Sequence, residues 1–233
     1  NETVYKNGYT INKKTKKKIK ALIIVHVFGN AANCENLIKL CKKKNIKIIE
    51  DASEALGTFY KRNNNHVGTL GDLGVISFNG NKIITSGAGG MILTQNKKLS
   101  EKVRYFIYQA KDDSLNYIHN DVGYNFAQTN LNAALGLAQL EKINKILRAK
   151  KELYKIYHKT IDSIPHMKLA DVPKYSKNNY WLNLIRIKTK KSILKVISEL
   201  KKYNIDTRPI WQPNHLQLPF RKFNRFNLKN YKT

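Results

Sequence analysis

Lys82 is the side chain best placed in this sequence for covalent chemistry. A partly desolvated lysine can lose its proton and attack a carbonyl carbon. Two acids, Glu50 and Asp51, end a short apolar run at residues 46–49, and a second run at 73–78 carries one hydroxyl, Ser77. Lys82 follows that serine, and Gly87, Gly89 and Gly90 close the segment. An acid at the end of one buried strand, a serine on another and a lysine just beyond can meet in one crevice, because α/β sheets bind ligands outside their strand ends. The competing reading is a solvated loop lysine, in a chain with 43 lysines and arginines.

These groups need a sheet to hold them. Residues 21–26 (ALIIVH) form a continuous apolar run, the pattern of a strand covered on both faces. His26 ends it and reads as a hydrogen-bonded structural histidine. Asn33 is the expected N-cap of a helix running to Lys43, with Leu37, Ile38, Leu40 and Cys41 facing inward. Residues 46–50 return as the next strand, so strand, helix and strand make a right-handed βαβ unit in a parallel sheet. Asp51 is expected to cap a short helical turn at 52–56.

Upstream, Asn7-Gly8 between β-prone runs predicts a hairpin turn. Downstream, short strands are expected at 75–78 and 91–94. An amphipathic helix at 99–110 turns Val103, Phe106, Ile107 and Ala110 to one side. A polar loop at 111–120, a closely packing helix at 130–140 and helix through 141–161 follow. Residues 165–179 read as irregular, 180–187 (YWLNLIRI) as a strand, 190–203 as a helix and 205–210 as a returning strand.

The formal charge is +27. Such a balance marks nucleic-acid or acidic-membrane partners in some proteins. Here the lysines fall in separate clusters (KKTKKKIK, CKKKNIK, KTKKSILK) with no arginine-rich arm and no RNA-binding aromatic signature, the pattern of solvated helix faces. Cys34 and Cys41 lie two helical turns apart on one face, too far to bridge, and no metal-type spacing accompanies them. That usage fits a reduced, cytoplasmic protein. No apolar run reaches membrane-spanning length.

Three segments carry a resemblance: EDASEALG, then GDLGVISFNGNKIITSGAGGM, then GYNFAQTNLNAALGLAQLE. In order and wording they closely resemble the DegT/StrS family of nucleotide-sugar aminotransferases, over roughly residues 19–220. IKALIIVHVFGN and TRPIWQPNHLQ resemble the branch that aminates 4-keto-6-deoxy sugars on the route to bacillosamine- and legionaminic-acid-type sugars.

The resemblance implies an α/β fold of the PLP-dependent transferase fold type I, with a mostly parallel sheet, flanking helices and a small C-terminal α/β domain. It implies pyridoxal 5′-phosphate (PLP) as cofactor, a nucleotide-sugar substrate, an amino-acid donor and a homodimer with a shared site. Lys82 matches the lysine that carries the cofactor, and Asp51 the acid against its pyridine nitrogen. Ser77 matches the serine on its phosphate, Glu54 a position near the ring hydroxyl, and Asn125 an asparagine that reaches the other subunit's phosphate. Arg208, Trp211 and His215 are candidates for the substrate's diphosphate, sugar or base. Ala127 stands where the family commonly has arginine, which weakens that corner of the site. The family also carries a long portion ahead of this point, so a fragment is expected: residues 1–140 as the later part of the cofactor domain, and 141–233 as linker helices and an incomplete small domain. Two other readings stay open, an inactive fragment or regulator that keeps the fold, and a basic nucleic-acid-binding protein.

Overall fold

The computed structural model describes residues 2–188 and 193–223. The chain forms two compact units, Asn1–Arg186 and Ile187–Thr233. The first opens on the hairpin of β1 (Thr3–Lys6) and β2 (Tyr9–Asn12), turned at Asn7-Gly8 with φ of 50° and 77°. Both positive φ values match the turn that suits a two-residue hairpin.

A four-stranded sheet follows, in the order β3 (Ala21–Val25), β4 (Lys47–Asp51), β6 (Leu73–Ser77), β7 (Gly90–Leu93). The first three strands are parallel and β7 is antiparallel. Between β3 and β4 lies α1 (Glu35–Lys43), so the expected βαβ unit is present. The small strand β5 (Phe59–Tyr60) precedes β6 and pairs with β11 (Ser176–Lys177).

Burial alternates along the strands. Ile24, Ile48, Glu50 and Ile76 are buried, and the three isoleucines share one core cluster with Cys34, Ile38 and Cys41 of the α1 region. Register puts Val25 beside Asp51, Asp51 beside Val75, and Val75 beside Ile92. Neighbours across a ladder share a face, so Asp51, Val75 and Ser77 lie on the face opposite Glu50. That face is open at its edge: Ile23 is 62% exposed and Val25 48%. The expectation that this strand is covered on both faces is therefore corrected, since among the described residues only one face is packed.

Helix α1 corrects two further points. Cys34, not Asn33, is at the N-cap, and no side chain caps the helix. The buried seam runs through Cys34, Ile38 and Cys41, spaced four and three apart, which leaves Leu37 and Leu40 exposed. Both cysteines are buried and free, as their spacing implied.

Beyond β7, α2 (Lys97–Ile107) starts on Asn96, whose side chain accepts from the Leu99 N–H. The stretch expected as a polar loop holds a small hairpin of β8 (Lys111–Asp113) and β9 (Ile118–His119), turned on Asp113, whose carboxylate accepts from the Leu115 and Asn116 N–H groups. Helix α3 (Asn130–Leu140) is capped by Thr129. Helix α4 (Ile143–Asp162) packs Ile143, Ile146 and Leu147 on the core. Strand β10 (Met167–Leu169) then returns along it.

The segment after β11 carries the longest-range bonds. Asn179 is fully buried; its amide donates to the Glu54 and Leu56 carbonyls at 2.8 and 3.0 Å, and its backbone N–H to Thr58 Oγ1 at 3.1 Å. Residues 180–184 are therefore drawn into an irregular strap, and only β12 (Ile185–Ile187) of the strand expected at 180–187 forms. In the second unit, α5 (Ile193–Lys202) half-buries Val196, Ile197 and Leu200 while Ile193 and Leu194 are exposed. Residues 190–192, expected to start that helix, lie outside the described residues. The strand expected at 205–210 is not formed: the backbone there is irregular, with Ile205 and Ile210 exposed.

Two features of the first unit carry predictions. Glu50 is fully buried, and it accepts from His26 Nε2 at 3.0 Å and from the N–H groups of Gly68, Leu70 and Gly71 at 2.6–3.0 Å. Burial penalises its charge, but the His26 ring and the Gly68 and Gly71 N–H groups outweigh that and hold the carboxyl below the usual carboxylate range. With the folded pKa lowered, this contribution is complete above the unfolded value near ~4.3 and is lost as pH falls through the folded value. Glu50→Gln should cost about 3 kcal/mol in urea unfolding at neutral pH, and should flatten the acid limb of stability against pH. Gly29 turns at φ +78°, and a Cβ there would land on Asn179 Oδ1 and meet the Glu54 carbonyl at 2.9 Å. Gly29→Ala should lower stability by roughly 2–4 kcal/mol, read from the same urea midpoints.

Candidate active site

Three loops meet around Lys82. The first leaves β4 at Asp51, whose carboxylate accepts from the Ser53 N–H at 3.1 Å. Residues 52–58 then make successive tight turns, with Ala55 N–H to Ala52 O and Thr58 N–H to Ala55 O both at 2.9 Å, in place of the expected helical turn. The second leaves β6 at Ser77, whose hydroxyl accepts from the Asn79 N–H at 3.3 Å. The third is the 3-10 turn Val27–Gly29, where Phe28 holds φ 57° and donates its N–H to Glu54 Oε2 at 2.7 Å.

The Lys82 side chain is 14% exposed. Its Nζ lies 3.9 Å from Glu54 Oε1 and 4.6 Å from the centroid of the Trp181 ring. Burial raises the Glu54 pKa; the Phe28 N–H and the Lys82 charge oppose it, and burial prevails. The site therefore holds a confined amine, an adjacent carboxyl that takes a proton more readily than usual, and an aromatic face. Asp51 and Ser77 share one face of the sheet at the same strand ends, as the register requires.

Asn125 stands apart from this cluster. Its backbone bridges Tyr108, and it lines a cavity of about 650 Å³ with Arg104, Tyr108, Gln128 and Asn132. That cavity borders β7 and α2 and includes neither Lys82 nor Asp51. The loop after Lys82 reaches it through Ser86, which is 2% exposed: Gln128 Nε2 donates to Ser86 Oγ at 2.7 Å and Asn132 Nδ2 to its carbonyl at 2.6 Å. In the second unit, Arg208 pairs with Asp206 at 3.5 Å, both exposed. Trp211 is exposed and His215 lies half-buried in the 3-10 turn Asn214–Leu216.

Sequence reasoning missed Trp181, Asn179 and Gly29. Trp181 and Asn179 were absorbed in runs read as strand and loop, and their partners lie about a hundred residues upstream. The one local sign was the pair Asn178-Asn179, two amides at the border between the stretch read as irregular and the run read as a strand. Among the described residues, no helix is long and apolar enough to cross a membrane.

The donor set suits PLP chemically: an acid for a ring nitrogen, a hydroxyl for a phosphate and an enclosed amine for an aldehyde. Comparison with known proteins points the same way. The chain is 38% identical over 218 residues to a GDP-perosamine synthase of Escherichia coli O157:H7, covering 92% of this chain and 58% of that protein. It is 30% identical over 168 residues to the UDP-4-amino-4,6-dideoxy-N-acetyl-beta-L-altrosamine transaminase of Campylobacter jejuni, covering 71% and 44%. Among solved structures it resembles PseC of Helicobacter pylori, an aminotransferase involved in the biosynthesis of pseudoaminic acid, at a TM-score of 0.79 and 27% identity over 90% of this chain and 57% of that one. The chain thus spans about half the length of the relatives it matches. The family model matches residues 3–231, nearly the whole chain, so the chain belongs to the DegT/DnrJ/EryC1/StrS aminotransferase family.

Proposed function

We propose that this chain is the lysine-bearing part of a PLP-dependent aminotransferase that moves an amino group, with glutamate as donor, to the 4-keto carbon of a nucleotide-linked 6-deoxy sugar. The observation that carries the reading is the confinement of Lys82 between Glu54 and Trp181, at the strand ends where Asp51 and Ser77 share a face. The relatives named above as a perosamine synthase and an altrosamine transaminase support the substrate class.

When bound, PLP supplies an electron sink for the pair left behind as a proton leaves the donor's Cα. The residues divide the remaining work. Lys82 would hold the cofactor's aldehyde carbon and, once displaced, carry the proton between donor and cofactor. Asp51 would keep the pyridine nitrogen protonated, Ser77 would donate to the phosphate, and Glu54 would sit near the ring hydroxyl. Asn125 would reach the phosphate of a second subunit, which makes the working unit a homodimer. Arg208 would pair with a diphosphate or the donor carboxylate, Trp211 would stack on a sugar or base, and His215 would touch phosphate. Residues 1–140 would belong to the cofactor domain and 141–233 to the linker helices and small domain, although the compact units divide later in the sequence, after Arg186, and the protein would work in the cytoplasm.

The first test is spectroscopic. Added PLP should turn the chain yellow, and borohydride should fix the cofactor on Lys82 by mass mapping. Lys82→Ala should stay folded, give no adduct and lower turnover of the whole protein by about 10²–10⁴-fold. A folded chain that gives no adduct at Lys82 overturns the reading. Ser77→Ala should weaken PLP binding by roughly 10–100-fold in a titration, because a hydrogen bond to a charged phosphate is lost.

A further inference from the structure

Trp181 meets the Asn81–Lys82 segment in two ways. Its indole is 3% exposed, and Nε1–H donates to the Asn81 carbonyl at 2.7 Å, on the residue just before Lys82. Its ring lies 4.6 Å from Lys82 Nζ. A ring this close attracts an ammonium through its quadrupole, and tryptophan does so best. One side chain therefore fixes the backbone that carries the lysine and faces its amine.

Trp181 is itself fixed. Its backbone N–H donates to Asn179 Oδ1 at 3.1 Å. Asn179 Nδ2 holds the Glu54 and Leu56 carbonyls, and its backbone N–H meets Thr58 Oγ1, which donates to the Gly29 carbonyl at 2.6 Å. The strap at 179–181 thus sets Glu54 and Trp181, the two flanks of the amine, from one buried amide. A residue with only a packing role has no need to bond the carbonyl of Asn81 and also turn its face to the amine of Lys82.

We propose that Trp181 is a positioning residue for Lys82: its face seats the amine beside Glu54, and its N–H pins the Asn81–Lys82 backbone. The proposal rests on the reading of Lys82 as the amine that carries the cofactor. An amine freed during turnover then returns to one seat instead of swinging into solvent.

The test is competitive acylation of lysines in the whole chain without cofactor, read by mass mapping. Labelling of Lys82 is referred to Lys97, whose side chain is 91% exposed. Trp181→Leu should raise the Lys82 ratio roughly 2- to 30-fold, because the amine no longer has to leave a ring to react. Trp181→Phe keeps a ring and should return the ratio toward that of the unaltered chain. A folded Trp181→Leu chain with an unchanged ratio overturns the proposal.

A second arm spares Trp181. In a Trp211→Phe background, Trp181 is the sole fluorophore of its kind, since the chain has two tryptophans. Lys82→Ala should then shift its emission, and an unchanged spectrum overturns the proposal even if Trp181→Leu fails to fold. Borohydride fixation of PLP on the unaltered chain separates the two ideas. A missing adduct sinks the aminotransferase reading and leaves the labelling and emission results standing. An adduct with unchanged labelling sinks only the role of Trp181.

Discussion

A buried carboxylate without partners would cost about 3–5 kcal/mol, a large share of a domain's net stability of about 5–15 kcal/mol. Glu50 therefore dictates where its neighbours go. Its four donors fix the loop at 68–71 and the ring of His26. The other His26 nitrogen, Nδ1, accepts from the Ala32 N–H at 3.1 Å, so the ring proton sits on Nε2 and goes to Glu50. That holds both ends of the turn at 26–32. The same turn presents the Phe28 N–H to Glu54, and Glu54 flanks Lys82. From one buried charge, a chain of hydrogen bonds runs to Glu54, whose other oxygen lies 3.9 Å from Lys82 Nζ.

The alternation of a strand separates the two acids at the end of β4. Glu50 faces the packed side and is consumed by structure. Asp51, one residue on, faces the open side with Val75 and Ser77 and accepts from the Ser53 N–H, which leaves it free for the cofactor role proposed above. A register slip of one residue would exchange them and place an unpaired charge inside. The Glu50 network thus guards the site as well as the core. The open side also carries Ile23, Val25 and Ile92, so the groups assigned to the cofactor lie on an apolar face that this chain leaves exposed.

Local chemistry was legible in the sequence, and contacts across long stretches were not. The Asn7-Gly8 hairpin, the βαβ unit and the common face of Cys34 and Cys41 follow from turn residues and periodicity within a few residues. Asp51, Ser77 and Lys82 were singled out at or just beyond the ends of two short apolar runs, and their assigned roles came from the family resemblance. The exposure of Leu37 and Leu40 was not legible, since a stripe of four apolar residues does not say which two the sheet will cover. Asn179 and Trp181 were invisible because their partners are chosen by the fold. Asn179 is a donor for the carbonyls of a loop 123–125 residues upstream, and meeting them breaks the strand that the local pattern favours.

The proposed role of Lys82 sets a last constraint, on how tightly its amine should be held. A hydrogen bond of ordinary length between Lys82 and Glu54 would anchor the amine, and it would have to be broken each time the lysine moved. The observed gap of 3.9 Å is longer than such a bond, and burial leaves Glu54 readier than usual to take up a proton, which weakens the pair further. The Trp181 face attracts the ammonium without claiming a particular N–H. Attraction from a ring falls off gently with small displacements, whereas a charge-assisted hydrogen bond depends sharply on distance and angle. Placement by an aromatic face and a distant carboxyl would therefore reconcile the two demands that the proposed role makes of Lys82, a fixed resting position and freedom to leave it.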